Sequence, residues 1–127
     1  MKNLIVLFLL ITGTFAFAQS KNCKQVTMQE FEQKLNETKN AVLLDLRTPK
    51  EYAAGHIKGS KNIDFFGKGF YDQLLKYPKD TPLFIYCESG GRSGQTFERL
   101  KNEGYQFVYE MHEGMSGWRE SKRPVEK

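Results

Sequence analysis

The sequence predicts an α/β fold, a three-layer sandwich with a small, mainly parallel central sheet flanked by helices. Three observations point to it. Apolar runs of strand length alternate with helix-like segments within a short chain. The run Ala41-Val42-Leu43-Leu44-Asp45-Leu46 is almost continuously apolar, as a strand covered on both faces must be. Two capping signatures, Thr27-Met28-Gln29-Glu30 and Thr48-Pro49-Lys50-Glu51, mark helix starts beside such runs.

The elements follow in order. Lys2, the apolar stretch Leu4 to Ile11 and the small residues of Ala16-Phe17-Ala18 have the form of a secretory signal, with cleavage expected before Gln19. The apolar core is too short for a span of about 20 residues, so no stable membrane insertion is expected. Cleavage would leave roughly a hundred residues, enough for one core and too few for two. The expected layout is a signal at 1–18, a flexible mature N-terminus at 19–25, a domain at 26–120 and a polar tail at 121–127.

After the first cap, Phe31, Leu35 and Thr38 continue one face at helical spacing, predicting a helix from Met28 to Thr38. The strand at 41–46 comes next, then a short helix from Pro49 that ends near Gly55. Gly59-Ser60 turns the chain into a short strand at Lys61-Asn62-Ile63, and a third helix runs from Phe70 to Lys76. Leu83 to Tyr86 is a strand behind Pro82; Ser93 starts a helix through Phe97 and Leu100, with Gly104 as its C-cap. Gln106 to Tyr109 is a last strand, and Gly114 to Trp118 a final helical turn.

Charge and composition narrow the function. The net charge of +4 is spread among interleaved acids, without a long basic run, so no nucleic-acid partner is expected. His56 and His112 are isolated, so neither a metal site nor a cofactor is expected. The two cysteines, Cys23 and Cys87, do not make a stapled scaffold.

Phe84-Ile85-Tyr86-Cys87-Glu88-Ser89-Gly90-Gly91-Arg92-Ser93 delivers a cysteine from a strand into a Gly-rich turn before a helix. A helix N-terminus offers unpaired N–H groups and partial positive charge, and both favour an anionic sulfur. Gly90 and Gly91 suit the close approach and unusual dihedrals of an N–H nest spanning Glu88 to Arg92. Arg92 adds a cation that can steady the loop or attract an oxyanion, and Ser93 is expected as the helix cap. In a parallel sheet, sites collect at the carboxyl ends of strands, where Asp45-Leu46-Arg47 also lies.

These residues resemble the rhodanese-like family of sulfurtransferase domains, from about Val26 to Trp118. Asp45 to Tyr52 is similar to the family's first signature, Gly55 to Ile63 to its second, and Tyr86 to Ser93 to its active-site loop. The resemblance implies a Cys87 persulfide that takes sulfane sulfur from a small donor and passes it to a thiol, a protein thiol or cyanide. It implies that Asp45 holds the loop, that Arg47 supports it or attracts substrate, and that His56 orders the segment after the short helix. Trp118 is expected to cap the core. A monomer, exported to the periplasm or secreted, is expected.

Two positions depart from the pattern. Glu88 follows the cysteine directly, where its charge is expected to repel thiosulfate, and Glu113 replaces the first glycine of a closing Gly-Gly motif. Two other readings stay open. Cys23 could pair with Cys87 in a non-catalytic or redox-sensing module. A phosphatase is disfavoured because four residues, not five, separate Cys87 from Arg92.

Overall fold

The computed structural model describes Gly13 and residues 21–127; the expected signal segment, apart from Gly13, and its cleavage site before Gln19 lie outside the described residues. The strands are β1 (Asn22–Val26), β2 (Val42–Asp45), β3 (Lys61–Asn62), β4 (Leu83–Tyr86) and β5 (Phe107–Met111). Between and after them run α1 (Met28–Glu37), α2 (Pro49–Ala54), α3 (Phe70–Leu74), α4 (Gly91–Asn102) and α5 (Gly114–Glu120). The five strands form one all-parallel sheet in the order β1-β5-β4-β2-β3.

Alternation along the strands sorts the core into two layers. Leu44, Leu83, Ile85 and Val108 face α3 and α4, meeting Phe70, Leu74, Phe97 and Leu100. Leu43, Phe84, Tyr109 and Met111 face the other way, meeting Phe31, Met115 and Trp118. Cys87 follows β4 with the parity of Leu83 and Ile85, so its side chain falls on the α4 face. Asp45 lies level with Tyr86 across the β2–β4 pair, which puts the ends of both strands at one edge.

The helix starts form as the sequence predicts. Thr27 accepts from the Glu30 N–H at the head of α1, and Thr48 with Glu51 completes a reciprocal capping box at α2.

The N-terminal segment differs from expectation, and the C-terminal tail gains contacts the sequence did not foretell. The segment expected to be flexible, 19–25, instead contributes most of β1, whose Asn22 to Val26 pair with Phe107 to Met111. Its sequence, Asn-Cys-Lys-Gln-Val, has little strand preference; nonlocal pairing and the Asn22 Nδ2 bond to the Tyr109 hydroxyl (2.8 Å) hold it. The expected polar tail is docked: the Trp118 indole N–H donates to the Pro124 carbonyl, and Glu126 bridges to His56. Trp118 itself is buried, as expected. Among the described residues no helix is long and apolar enough to cross a membrane.

Candidate functional site

The turn after β4 is held from outside by the start of α5. The first N–H groups of α5 face it: Met115 N–H donates to the Cys87 carbonyl (2.8 Å) and Ser116 N–H to the Glu88 carbonyl (2.9 Å). With those carbonyls turned outward, loop amides are free to face the sulfur. Gly90 N–H (3.2 Å), Ser93 N–H (3.3 Å) and the Ser93 hydroxyl (3.2 Å) all lie within hydrogen-bond reach of Cys87 Sγ. Three donors around one sulfur suit an anion, whether thiolate or persulfide.

Two expectations about this loop change. The helix begins at Gly91, so Gly90 stands at the N-cap and Ser93 lies inside the first turn, its hydroxyl aimed at sulfur instead of capping. Gly90 is required: its φ is +92°, and a Cβ there would meet His112 Nδ1 at 2.8 Å. Gly91 is not, since a Cβ at that position meets nothing within 4 Å. Ser89 is exposed at the loop's outer edge.

Asp45 and Arg47 form the buttress beneath. Arg47 is 2% exposed; its Nη2 meets Asp45 Oδ2 at 2.7 Å and donates to the Gly55 carbonyl at 2.7 Å, while its Nε lies 3.0 Å from Asp45 Oδ1. Burial alone would lower the Arg47 pKa, but the Asp45 hydrogen bond and charge outweigh it and raise the pKa. Arg47 thereby ties the end of β2 to the Gly55 carbonyl at the end of α2. Its remaining nitrogen, Nη1, approaches Glu88 Oε1 at 3.4 Å.

Arg92, too, pairs with a carboxylate. It makes two bonds to Glu51, at 2.7 and 3.0 Å, and stacks over the exposed Phe66 ring. Those bonds hold the Glu51 carboxyl at about 2, well below its ordinary range. Active loop and α2 are thereby clamped together.

Glu88 does not point into the sulfur nest. Its carboxylate sits between Arg47 and Arg119, beside a cavity of about 270 Å³ also lined by Gly55, Met115 and Val125. The charge expected to repel anions is thus itself held by two cations. At the other departure, Glu113 has φ −65°, which any residue adopts, and its carboxylate accepts from Met28 N–H (3.0 Å). The glycine that matters there is Gly114, at φ +65°.

His56 is engaged with Tyr52 and the C-terminal segment. Its ring stacks on Tyr52 at 3.7 Å, its Nδ1 lies 2.9 Å from the Tyr52 carbonyl, and its backbone pairs with Glu126, an ordering role. Cys23 is not a partner for Cys87. It lies level with Leu83 through their shared partner Val108, at the opposite end of the sheet and two strands away. Four residues of strand alone separate the levels by about 13 Å, beyond the roughly 7 Å limit for Cα atoms of a disulfide. Its thiol instead donates to the Tyr105 carbonyl at 3.3 Å.

Sequence reasoning missed Glu110. It is fully buried on β5, opposite Ile85, and its Oε1 lies 3.1 Å from the Ser93 hydroxyl. Burial raises its pKa, partly offset by hydrogen bonds to His112 and Ser93. The available signal was a carboxylate two residues beyond Val108 in a strand of a doubly covered sheet, where an acid demands a reason. Among the described residues no group of His, Cys, Asp or Glu is placed to hold a metal ion.

Comparison with known proteins agrees with this geometry. The family described as Rhodanese-like domain matches residues 27–121. A protein named sulfurtransferase from Allochromatium vinosum is 30% identical over 101 residues, 80% of this chain and 92% of that protein. The thiosulfate sulfurtransferase GlpE of Ectopseudomonas mendocina is 33% identical over 79 residues, 62% of this chain and 71% of that one. The crystal structure of a rhodanese-like domain protein from Staphylococcus aureus superposes with a TM-score of 0.64 at 32% identity, covering 75% of this chain and 90% of that one. A parallel five-stranded sheet, a cysteine loop closed by the start of α4 and a match over nearly all the described residues together place this chain in the rhodanese-like domain family.

Proposed function

We propose that this protein is a sulfurtransferase or persulfide carrier in which Cys87 takes sulfane sulfur from thiosulfate or a persulfide and passes it to a thiol or cyanide acceptor. One observation carries the reading: Gly90 N–H, Ser93 N–H and the Ser93 hydroxyl converge on Cys87 Sγ. A carrier needs an anionic sulfur kept nucleophilic as thiolate and stable as persulfide, and those donors suit both. The family membership and the sulfurtransferase relatives support it. The pairing of Arg92 with Glu51 gives no support to phosphoryl binding, and the separation of Cys23 from Cys87 gives none to an internal redox pair.

The test is mass spectrometry after incubation with a sulfane-sulfur donor. Cys87 is expected to gain one sulfur atom, and a Cys87→Ser protein to gain none at that site. Absence of the adduct with thiosulfate, mercaptopyruvate and a low-molecular-weight persulfide alike would overturn the proposal. The signal-like start further supports an exported protein, tested by sequencing the N-terminus of cell-derived material; a mature protein beginning at Met1 would refute export by cleavage.

A further inference from the structure

Behind the candidate nucleophile lies a continuous polar chain. Cys87 Sγ is 3.2 Å from Ser93 Oγ, Ser93 Oγ is 3.1 Å from Glu110 Oε1, and Glu110 Oε1 is 3.0 Å from His112 Nδ1. Its inner end is sealed, with Cys87 at 1% exposure, while the His112 side chain is 63% exposed. Glu110 Oε2 meets no hydrogen-bond partner within 3.5 Å among the described residues, although the Gln25 side chain faces the same carboxyl. Gly90 packs against His112, where a Cβ would lie 2.8 Å from Nδ1, whereas a Cβ at Gly94 would make ordinary contact with Glu110 Oε1 at 3.7 Å.

We propose that Glu110 shares the proton of Cys87 through the Ser93 hydroxyl, and that His112 exchanges it with solvent. The reading rests on Cys87 as the sulfur carrier. A hydroxyl has one hydrogen and can accept another, so Ser93 fits two arrangements holding the same number of protons. In one, Cys87 S–H donates to Ser93, which donates to a Glu110 carboxylate. In the other, a protonated Glu110 donates to Ser93, which donates to a Cys87 thiolate. Burial of Glu110, which favours its neutral form, brings the second arrangement within reach.

The proton balance closes over a transfer cycle. On loading, the Cys87 proton leaves through Ser93, Glu110 and His112 Nδ1 to water from His112 Nε2. The thiolate pair attacks the outer sulfur of R–S–SH, a Cys87 S–S bond forms, and the donor's S–S bond breaks. The electron pair leaves with R–S⁻, which takes a proton from water. On unloading, an acceptor thiolate attacks the outer sulfur, the pair of the broken S–S bond returns to Cys87, and a proton entering at His112 Nε2 restores the thiol and the imidazole tautomer. Glu110 acts through Ser93 and is therefore a positioning residue.

The groups facing this chain are few. Ser93 and Gly94 come from α4, Gln25 from β1 and His112 from the position just after β5. Of the charged side chains on the loop itself, Arg92 is paired with Glu51, and Glu88 with Arg47 and Arg119.

The test follows alkylation of Cys87 by iodoacetamide against pH in the full chain, with peptide mapping to separate Cys23. It needs no sulfur donor, so a failure of sulfur transfer, read by the mass gain, is distinguishable from a failure here. Two coupled acids are expected to make the wild-type rate rise in two steps. Glu110→Gln, a neutral donor of the same shape, is expected to give one step displaced about one pH unit toward acid, about tenfold faster on the acid limb. In a Ser93→Ala background the same change is expected to give a smaller displacement, that of through-space repulsion alone. A single wild-type step that Glu110→Gln leaves in place would overturn the proposal, as would a displacement undiminished without the hydroxyl. A readout on wild-type protein guards against misfolded variants: the Glu110 carboxyl carbon, followed by NMR, is expected to titrate about one unit differently once Cys87 is alkylated. An unmoved titration would also overturn it.

Discussion

Glu88→Gln isolates the electrostatics beside the loop. The wild-type carboxylate sits between Arg47 Nη1, 3.4 Å away, and Arg119, so it neutralises two cations that would otherwise attract an incoming anion. Glutamine keeps the shape, removes one negative charge and leaves two cations facing the cavity. For a dianion about 7 Å away, in a partly exposed site of effective dielectric about 60, the change is about 1 to 2 kcal/mol. That corresponds to about fivefold to thirtyfold in kcat/KM for thiosulfate. The assay is the rate of single-sulfur gain at Cys87 from thiosulfate, with an uncharged persulfide as control. Loading from thiosulfate is expected to accelerate and loading from the control to stay level. Added salt should shrink the gain, because exposed charges are screened within about 10 Å at moderate ionic strength. Since both ion pairs are partly exposed, their loss should cost about 0 to 1 kcal/mol each. An unchanged or slower thiosulfate reaction, with the fold intact and Cys87 alkylated normally, would refute the idea that Glu88 neutralises cations that would otherwise attract the anion.

Further predictions concern the scaffold. The Glu51 carboxyl, held near 2 against an ordinary 4.5, contributes stability above the ordinary value that is lost as pH falls from there toward 2; Glu51→Gln should flatten thermal stability across that window, by calorimetry. Gly114→Ala should destabilise by about 2 to 4 kcal/mol in urea denaturation, because a Cβ at φ +65° would press into the Glu88 carbonyl and lie 2.7 Å from that of Cys87. Gly91→Ala, with open space at its Cβ, should change stability by less than about 0.5 kcal/mol and is the matched control. Arg47→Lys should cost about 1 to 3 kcal/mol in the same assay, since an ammonium cannot span both Asp45 oxygens and the Gly55 carbonyl.

The helices and inner strands were legible because their signals are local. The Thr48 to Glu51 capping box, the apolar run at Val42 to Asp45 and the cysteine turn after Tyr86 each declare themselves within a few residues. The sequence by itself therefore determined the α/β class and the placement of Cys87 at a strand's carboxyl end. Tertiary structure decided what depends on distant partners. Strand β1 exists because β5 offers it hydrogen bonds, and its own residues scarcely favour extension. Arg47 and Arg92 each had two plausible directions, and only the packing of β2 and α2 beside the loop turned one toward Asp45 and the other toward Glu51. Glu110 reaches Ser93 because β5 pairs with β4 in a register that sets its side chain on the α4 face. Charge and propensity are written residue by residue, but the direction of a long polar side chain is set by whichever distant partner satisfies it when water is excluded.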